Sequence, residues 1–410
     1  MNALLDSLEL ARTSRHIAPA AKLDIRHLVF DMCSSHDLKA NGVYHVARRL
    51  AAEQIAAGQD ARIIFLREED RQMPSEPSDV PMQVLELAGR KVLGRRVSIN
   101  GDILRAMTAG AGRTTVFHIH AARQPLLLPI IVRLRRLGIP YAMTIHGRYA
   151  HVFDRDNHVV RRVPALYLQT IERRVLEGAL FVQGVSPAEC DTIRRIAPRA
   201  RVELVPNAAY SSRFDGVPRA REGATPSPRF PVFGYLGRYE IEHKGLDLLV
   251  AGFAAYRKAG GKGVLELVGT GPAREEIATQ ARTLGIAECV NIDGPRFGAE
   301  KVRTFTTWDY FVMPSRFEGV PIGALEAALA GLPLIVSAET GLREHVASFE
   351  CGVGIAELTA EAVAQSFAQA ERATAQRWSC MSAAAYRMAL SVGDWTSTAA
   401  QLVTLYRSGL

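Results

Sequence analysis

Paired cysteines are missing from this sequence. Its five (Cys33, Cys190, Cys289, Cys351 and Cys380) are odd in number, scattered and never spaced CxxC. That excludes a disulfide framework and a cysteine zinc site, and it points to a reducing compartment. Long apolar runs are missing too, since the longest, Leu126 to Val132, falls far short of a bilayer span. The first twenty residues, MNALLDSLELARTSRHIAPA, hold no apolar core of signal-peptide length, so the expectation is a cytoplasmic protein. Aromatic residues are sparse at 7 %. None interleave with the basic clusters, which argues against nucleic acid as a partner. The histidine spacing suggests no metal site.

What is present is an ordinary globular composition, 48 % hydrophobic and 22 % charged, over 410 residues. That length calls for two or three domains, each with its own core. The net charge of +8 suits an anionic partner such as a nucleotide, a phospholipid surface or an acidic polysaccharide, and equally a well-solvated surface.

Short apolar runs alternate with helical patterns. HLVFDMCSS, GVYHVARRLAAEQIAAG and ARIIFL are followed by TVFHIH, PLLLPIIVRLRRLG and YAMTIHG. Apolar strands linked by crossover helices imply a parallel α/β sheet. The pattern breaks at residues 215–230, DGVPRAREGATPSPRF, which reads as a linker. It then restarts with PVFGYLG, GVLELVG, CVNIDG, DYFVMPS and PLIVSA, and the chain closes on an amphipathic helix, WTSTAAQLVTLYRSGL. The expected domains are 1–214, the linker 215–230, 231–390 and a terminal helix 391–410. Ligands of such sheets bind beyond the carboxyl ends of the strands, and with two domains the cleft between them is the expected site.

The stretch PSRFEGVPIGALEAALAG, residues 314–331, concentrates the chemistry. It follows a buried strand, and Pro321 is placed to open a helix that stops at Gly331. The helix start offers amide groups and a positive dipole end to a phosphate. Pro321 has no N–H, so Ile322 and Gly323 are the expected donors. Glu318 stays in the loop, and Glu326 lies one turn into the helix. Two carboxylates flanking a phosphate site suggest hydroxyls on either side, as in a sugar nucleotide; they equally suit a solvated loop and a stabilised helix start. In GYLGRYEIEHKGLDLLV, Arg238 and Lys244 bracket the end of another strand and could clamp a diphosphate, the arginine in bidentate fashion and the lysine as a point charge.

GRYEIEHKGLDLL, LVGTGP and MPSRFEGVPIGALEAALAGLPLIVS, in that order and spacing, resemble the family 4 retaining glycosyltransferases of the GT-B fold, and so does the closing helix. The resemblance implies two tandem Rossmann-like doubly wound parallel-sheet domains, an acceptor domain then a nucleotide-sugar donor domain, with a terminal helix returning to the first. It implies that Arg238 and Lys244 bind the donor diphosphate, that Glu318 contacts the sugar and Glu326 the ribose, and that Gly319 and Val320 belong to the donor loop. Gly269 and Gly271 would line the nucleotide pocket, with Arg296 and Phe297 near the base. His146, in TIHG, matches the family's histidine near the donor sugar. His118 and His120 are expected as core or packing histidines. Asn41-Gly42 stands where the family has a double glycine, and asparagine's tolerance of positive φ would preserve a tight approach to ligand there. Asn207 stands in LVPNAAY, where Ala208 replaces the usual glycine; no catalytic role is assigned to it.

The implied activity is transfer of a hexose from a UDP- or GDP-sugar to a hydroxyl, with retention and without metal or other cofactor. Exopolysaccharide, lipopolysaccharide or glycolipid assembly is the implied setting. The first half carries the basic clusters GRKVLGRR, VRLRRLG, VVRRVP, IERRVL and IRRIAPRAR. They would suit a lipid-linked acceptor and peripheral contact with the anionic inner face of the plasma membrane. RQPLLLPIIVRLRRLG is the segment proposed for that contact, although its apolar face also reads as the inner side of a crossover helix. Two other classes stay open. VLELVGTGPAREE with Asp293 resembles half of a dinucleotide fingerprint, though Arg274 stands where a small residue belongs. A non-catalytic sugar-nucleotide-binding protein on the same fold is the third.

Overall fold

The computed structural model describes residues 21–30, 41–68, 79–87, 91–92, 95–96, 99–147, 149, 167–209 and 230–410. The expected linker lies outside these residues except for Phe230. So do the stretch preceding Asn41 and the VVRRVP cluster. Two compact units divide the chain: one runs to Pro206 and includes Trp395–Leu410, and the other is Asn207–Asp394.

The first unit is built on seven parallel strands: β1 (Asp24–Phe30), β2 (Asp60–Glu68), β3 (Met82–Leu87), β4 (Thr115–His120), β5 (Tyr141–Thr144), β6 (Val182–Gly184) and β7 (Val202–Leu204). Their order is β3-β2-β1-β4-β5-β6-β7. β4 and β5 are buried along their whole length, as strands covered on both faces must be. Helix α1 (Gly42–Ala56) crosses from β1 to β2, α2 (Gly101–Thr108) precedes β4, and α3 (Leu127–Arg136) crosses from β4 to β5. The apolar face of α3 (Leu127, Ile130, Ile131, Leu134) is in the core. The inner-face reading of RQPLLLPIIVRLRRLG is therefore the observed one, and that face is unavailable to a membrane. Helix α4 (Arg173–Glu177) leads to β6, and α5 (Pro187–Ile196) is capped by Ser186, with proline at its first position.

The second unit has six parallel strands: β8 (Val232–Arg238), β9 (Val264–Thr270), β10 (Val290–Asp293), β11 (Tyr310–Met313), β12 (Leu334–Val336) and β13 (Gly352–Gly354). Their order is β10-β9-β8-β11-β12-β13. Helices α6 (Ile241–Lys244), α7 (Leu246–Lys258), α8 (Arg274–Thr283), α9 (Gly298–Thr307), α10 (Ile322–Leu329), α11 (Arg343–Ser348), α12 (Ala360–Glu371) and α13 (Ala375–Val392) connect and cover them. Trp308 and Trp378 fill the core without stranding their N–H groups, which donate to Glu266 Oε2 at 2.7 Å and to the Asp309 carbonyl at 2.9 Å.

Both sheets have the doubly wound order in which the chain reverses direction beside its first strand. The switch falls between β1 and β4 in one unit and between β8 and β11 in the other. The last helix, α14 (Trp395–Gly409), belongs to the first unit, as expected of a returning helix. Thr396 Oγ1 donates to Glu53 Oε2 at 2.8 Å, and Tyr406 bonds His118. Among the described residues, no helix is long and apolar enough to cross a membrane.

Candidate functional site

At the switch point of the second unit, β8 ends on Arg238 and runs into α6. Gly245 stops that helix in a left-handed conformation, φ 63°. A side chain there would meet the Pro314 carbonyl oxygen at 2.2 Å, so glycine lets the loop after β8 press against the loop after β11. The two loops are then fastened together. The Arg316 and Phe317 amides donate to the His243 carbonyl at 2.8 and 3.3 Å. The Arg316 guanidinium forks onto both oxygens of Asp247, each at 2.7 Å, and also reaches the Ile241 carbonyl.

This fastening brings Lys244 onto Glu318 as an ion pair, with both side chains largely shielded. Arg238 lies 3.2 Å from Glu240. Burial pushes the Glu240 carboxyl up, but His243, Arg238 and Lys244 outweigh it and hold the group down at about 2. Burial, followed by the like charge of Arg238, pulls the Lys244 ammonium down to about 7 against the opposing effect of Glu240.

Pro321 is not the first helical residue but the cap before it, with φ −74° and ψ 118°. Its carbonyl accepts from Ala324 and Leu325. Ile322 and Gly323 therefore occupy the first two helical positions, whose amides have no intrahelical acceptor. Gly331, φ 77°, ends the helix as its sequence position implies. Glu326 is buried in α10 and paired with Lys301 of α9. Arg238, Lys244, Glu318, Gly319, Val320, Ile322, Gly323 and Glu326 thus belong to one edge of one sheet. Asn207 is joined to that edge, since its Nδ2 donates to the Val320 carbonyl at 3.1 Å while its Oδ1 is buried without a hydrogen bond. Sequence reasoning missed three of these contributors: the Arg316–Asp247 fork, Lys301, and the grip of Asn207 on Val320. The one available signal was the presence of Arg316 and Asp247 inside the conspicuous motifs.

The dinucleotide alternative is not favoured. Gly269 is explained by packing, because a Cβ there would lie 1.8 Å from the Gly237 carbonyl oxygen; at Gly271 it would meet Tyr239 backbone atoms at 2.3 and 2.8 Å. Arg274 hydrogen-bonds the Ile292 and Asp293 carbonyls at 2.9 and 3.1 Å. The Asp293 carboxylate, which a ribose would need, accepts from the Gly294 amide and pairs with Arg296. Arg296 also pairs with Glu300, and Phe297 caps α9.

In the first unit the expectation of a positive φ at Asn41 is corrected. Asn41 has φ −86° and caps α1, its side chain accepting from the Tyr44 amide at 3.0 Å. Gly42 is the first helical residue, with open space where a Cβ would stand. His146 takes the positive φ instead, 57°, followed by Gly147 at 78°. Glu189 holds this turn: its two oxygens accept from the Gly147 amide at 2.6 Å and the Val185 amide at 2.8 Å. Burial lifts its carboxyl to about 7 against those two bonds.

His118 and His120 point to one face of β4, and strand register sets His27 of β1 beside His118. The three rings are buried and stacked, with nitrogens within 4.8 Å of one another, a cluster that the sequence spacing does not reveal. Their nitrogens are engaged in hydrogen bonds to one another and to Gln54, Thr144, His146 and Tyr406. An Asp-x-Asp, Asp154 to Asp156, also occurs in the sequence and lies outside the described residues.

Residues 230–372 match the family described as "Glycosyl transferases group 1", and residues 41–208 match "Glycosyl transferase 4-like domain". The 2-deoxystreptamine N-acetyl-D-glucosaminyltransferase of Streptomyces fradiae is 32 % identical over 58 % of this chain and 58 % of its own length. The glycogen synthase of Mycobacterium tuberculosis is 30 % identical over 70 % of this chain and 68 % of its own length. Among solved structures, sucrose-phosphate synthase from Thermosynechococcus elongatus superposes with a TM-score of 0.72 at 21 % identity, covering 94 % of this chain and 98 % of that one. HepE of Anabaena in complex with UDP and glucose gives 0.69 at 15 % identity, covering 93 % and 98 %. At those identities the likeness is one of fold, the GT-B fold.

Proposed function

The chain belongs to the group 1 glycosyltransferases of the family 4 type, and from that premise we propose that it transfers a hexose from a UDP- or GDP-sugar to a hydroxyl acceptor. The observation that carries this reading is the constellation at the switch point: two cations, two carboxylates and two helix-start amides on one sheet edge.

In the ligand-free state both cations are matched by carboxylates. The donor diphosphate replaces Glu318 as the partner of Lys244 and Glu240 as the partner of Arg238, which frees Glu318 for the sugar hydroxyls. Glu326 takes the ribose hydroxyls in exchange for Lys301. The bond from the anomeric carbon to the diphosphate breaks as the acceptor oxygen bonds to that carbon from the same face. The acceptor's proton leaves on the departing phosphate oxygen. Arg238, Lys244 and the Ile322 and Gly323 amides stabilise the charge that develops there, the task a divalent cation performs elsewhere. His146 orients the sugar. The acceptor is a sugar or a lipid-linked glycan, in exopolysaccharide, lipopolysaccharide or glycolipid assembly. Lys244→Ala and Glu326→Ala, with circular dichroism unchanged, should each abolish transfer; near-normal turnover in either would remove the site assignment.

A further inference from the structure

We propose that a directed hydrogen-bond chain, Gln54–His27–His120–His146, holds His146 in the tautomer that carries its proton on Nε2 and presents Nδ1 as the acceptor. Gln54, His27 and His120 are then positioning residues for His146. The links are Gln54 Oε1 to His27 Nε2 at 2.8 Å, His27 Nδ1 to His120 Nε2 at 2.9 Å, and His120 Nδ1 to His146 Nε2 at 2.9 Å.

Two carbonyl oxygens set the directions of these bonds, the Val205 backbone carbonyl on the His118 side and the Gln54 side-chain carbonyl on the His27 side. Gln183 Nε2 donates to the Val205 carbonyl at 2.7 Å, so its Oε1 is the atom that accepts from the Thr144 hydroxyl, also at 2.7 Å. Thr144 Oγ1 has then given its hydrogen away and accepts from His118 Nε2 at 2.6 Å. A neutral imidazole has one donor and one acceptor, so His118 Nδ1 accepts from the Tyr406 hydroxyl. Gln54 turns its side-chain carbonyl oxygen to His27 Nε2, and its amide nitrogen makes no hydrogen bond. Facing an oxygen, His27 must carry its proton on Nε2. His27 Nδ1 then accepts from His120 Nε2–H, and His120 Nδ1 accepts from His146 Nε2–H.

Burial keeps all three inner rings neutral: it lowers His27 to about 4 and takes His118 and His120 well below the usual histidine value. The chain therefore runs from fully buried rings to half-buried His146, whose backbone is fixed separately by the Glu189 carboxylate. A histidine presenting Nδ1 as acceptor takes a hydrogen from a hydroxyl and donates none. Its use toward a hexose hydroxyl rests on the glycosyltransferase reading above; its tautomer does not.

The test uses the full-length protein labelled with 15N-histidine, with His146 assigned from its missing signals in His146→Gln. Long-range proton–nitrogen spectra at neutral pH show which ring nitrogen carries the hydrogen. The wild type should show His146 protonated on Nε2 alone. His27→Leu removes the acceptor of His120 and should give a mixture of His146 tautomers with reduced kcat. His27→Asn places an oxygen where Nδ1 was and should restore both. If His27→Leu does not fold, Gln54→Met removes the terminal acceptor and should give the same mixture. A wild-type His146 protonated on Nδ1, or a folded His27→Leu or Gln54→Met protein with an unchanged single tautomer, would overturn the proposal. A correct tautomer in a protein that transfers no sugar would instead remove only the functional reading.

Discussion

Lys244 and Glu318, 74 residues apart, form an ion pair at the junction of two loops, with side-chain exposures of 14 % and 16 %. A shielded carboxylate that loses its cation is destabilised. Lys244→Ala should therefore lower stability by about 1–3 kcal/mol, the range for stranding a buried polar group. The double variant Lys244→Ala/Glu318→Ala should recover most of that loss and no donor binding. Urea midpoints and nucleotide titrations read the two effects separately. A double variant as unstable as the single one would show that Glu318 is not the group left stranded.

If Lys244 holds the donor diphosphate as proposed, its depressed ammonium should make donor binding pH-dependent. Lys244 titrates at about 7, so it is charged below that pH and increasingly neutral above it. Only the charged form pairs with a diphosphate. Affinity for a nucleotide sugar, whose diphosphate carries no titrating proton in this range, should fall as pH rises through 7. Lys244→Arg, which stays charged, should flatten the profile even where it weakens binding. A wild-type affinity that is constant from pH 6 to 9 would contradict the assignment.

Glu326 is expected to contribute through charged hydrogen bonds. Its removal in Glu326→Ala should weaken donor binding by roughly 10- to 100-fold, the equivalent of about 1.5–3 kcal/mol for such bonds. Calorimetric titration with the nucleoside diphosphate checks this, and unchanged affinity would place the ribose elsewhere.

His27 gives the fold an acid limit. Its value is lowered to about 4 from 6.5, so between those pH values the unfolded chain binds the proton and the native chain does not. Stability is then fully present above about 6.5 and is lost as pH falls toward 4. This single group accounts for about 3 kcal/mol of that loss, at 1.36 kcal/mol per unit. His27→Asn should shallow the slope of stability against pH in this window. An unchanged slope would mean that His27 does not titrate there.

The alternation of apolar runs and helical patterns made both parallel sheets legible, because strands buried on two faces must be apolar throughout. The switch-point loops were legible because their chemistry is local: a strand end, a cation or carboxylate, a helix start. What the sequence hid depends on partners far apart in the chain. His27, Gln54, His120 and His146 meet only through parallel register and a crossover helix. The Arg316–Asp247 fork depends on two loops pressing together at Gly245. Asn41 was misjudged because its side chain had a better use, capping α1, than a left-handed backbone would offer.

The most direct measurement is thermal unfolding of the wild type and Lys244→Ala with UDP, GDP, ADP, their common sugars, NAD and NADP. A ligand at a hundred times its Kd should stabilise the wild type by about 2.7 kcal/mol, a shift of a few degrees. That shift should appear with one nucleoside diphosphate and its sugars and be lost in Lys244→Ala. A shift with NAD or NADP alone, or one that Lys244→Ala retains in full, would contradict the assignment.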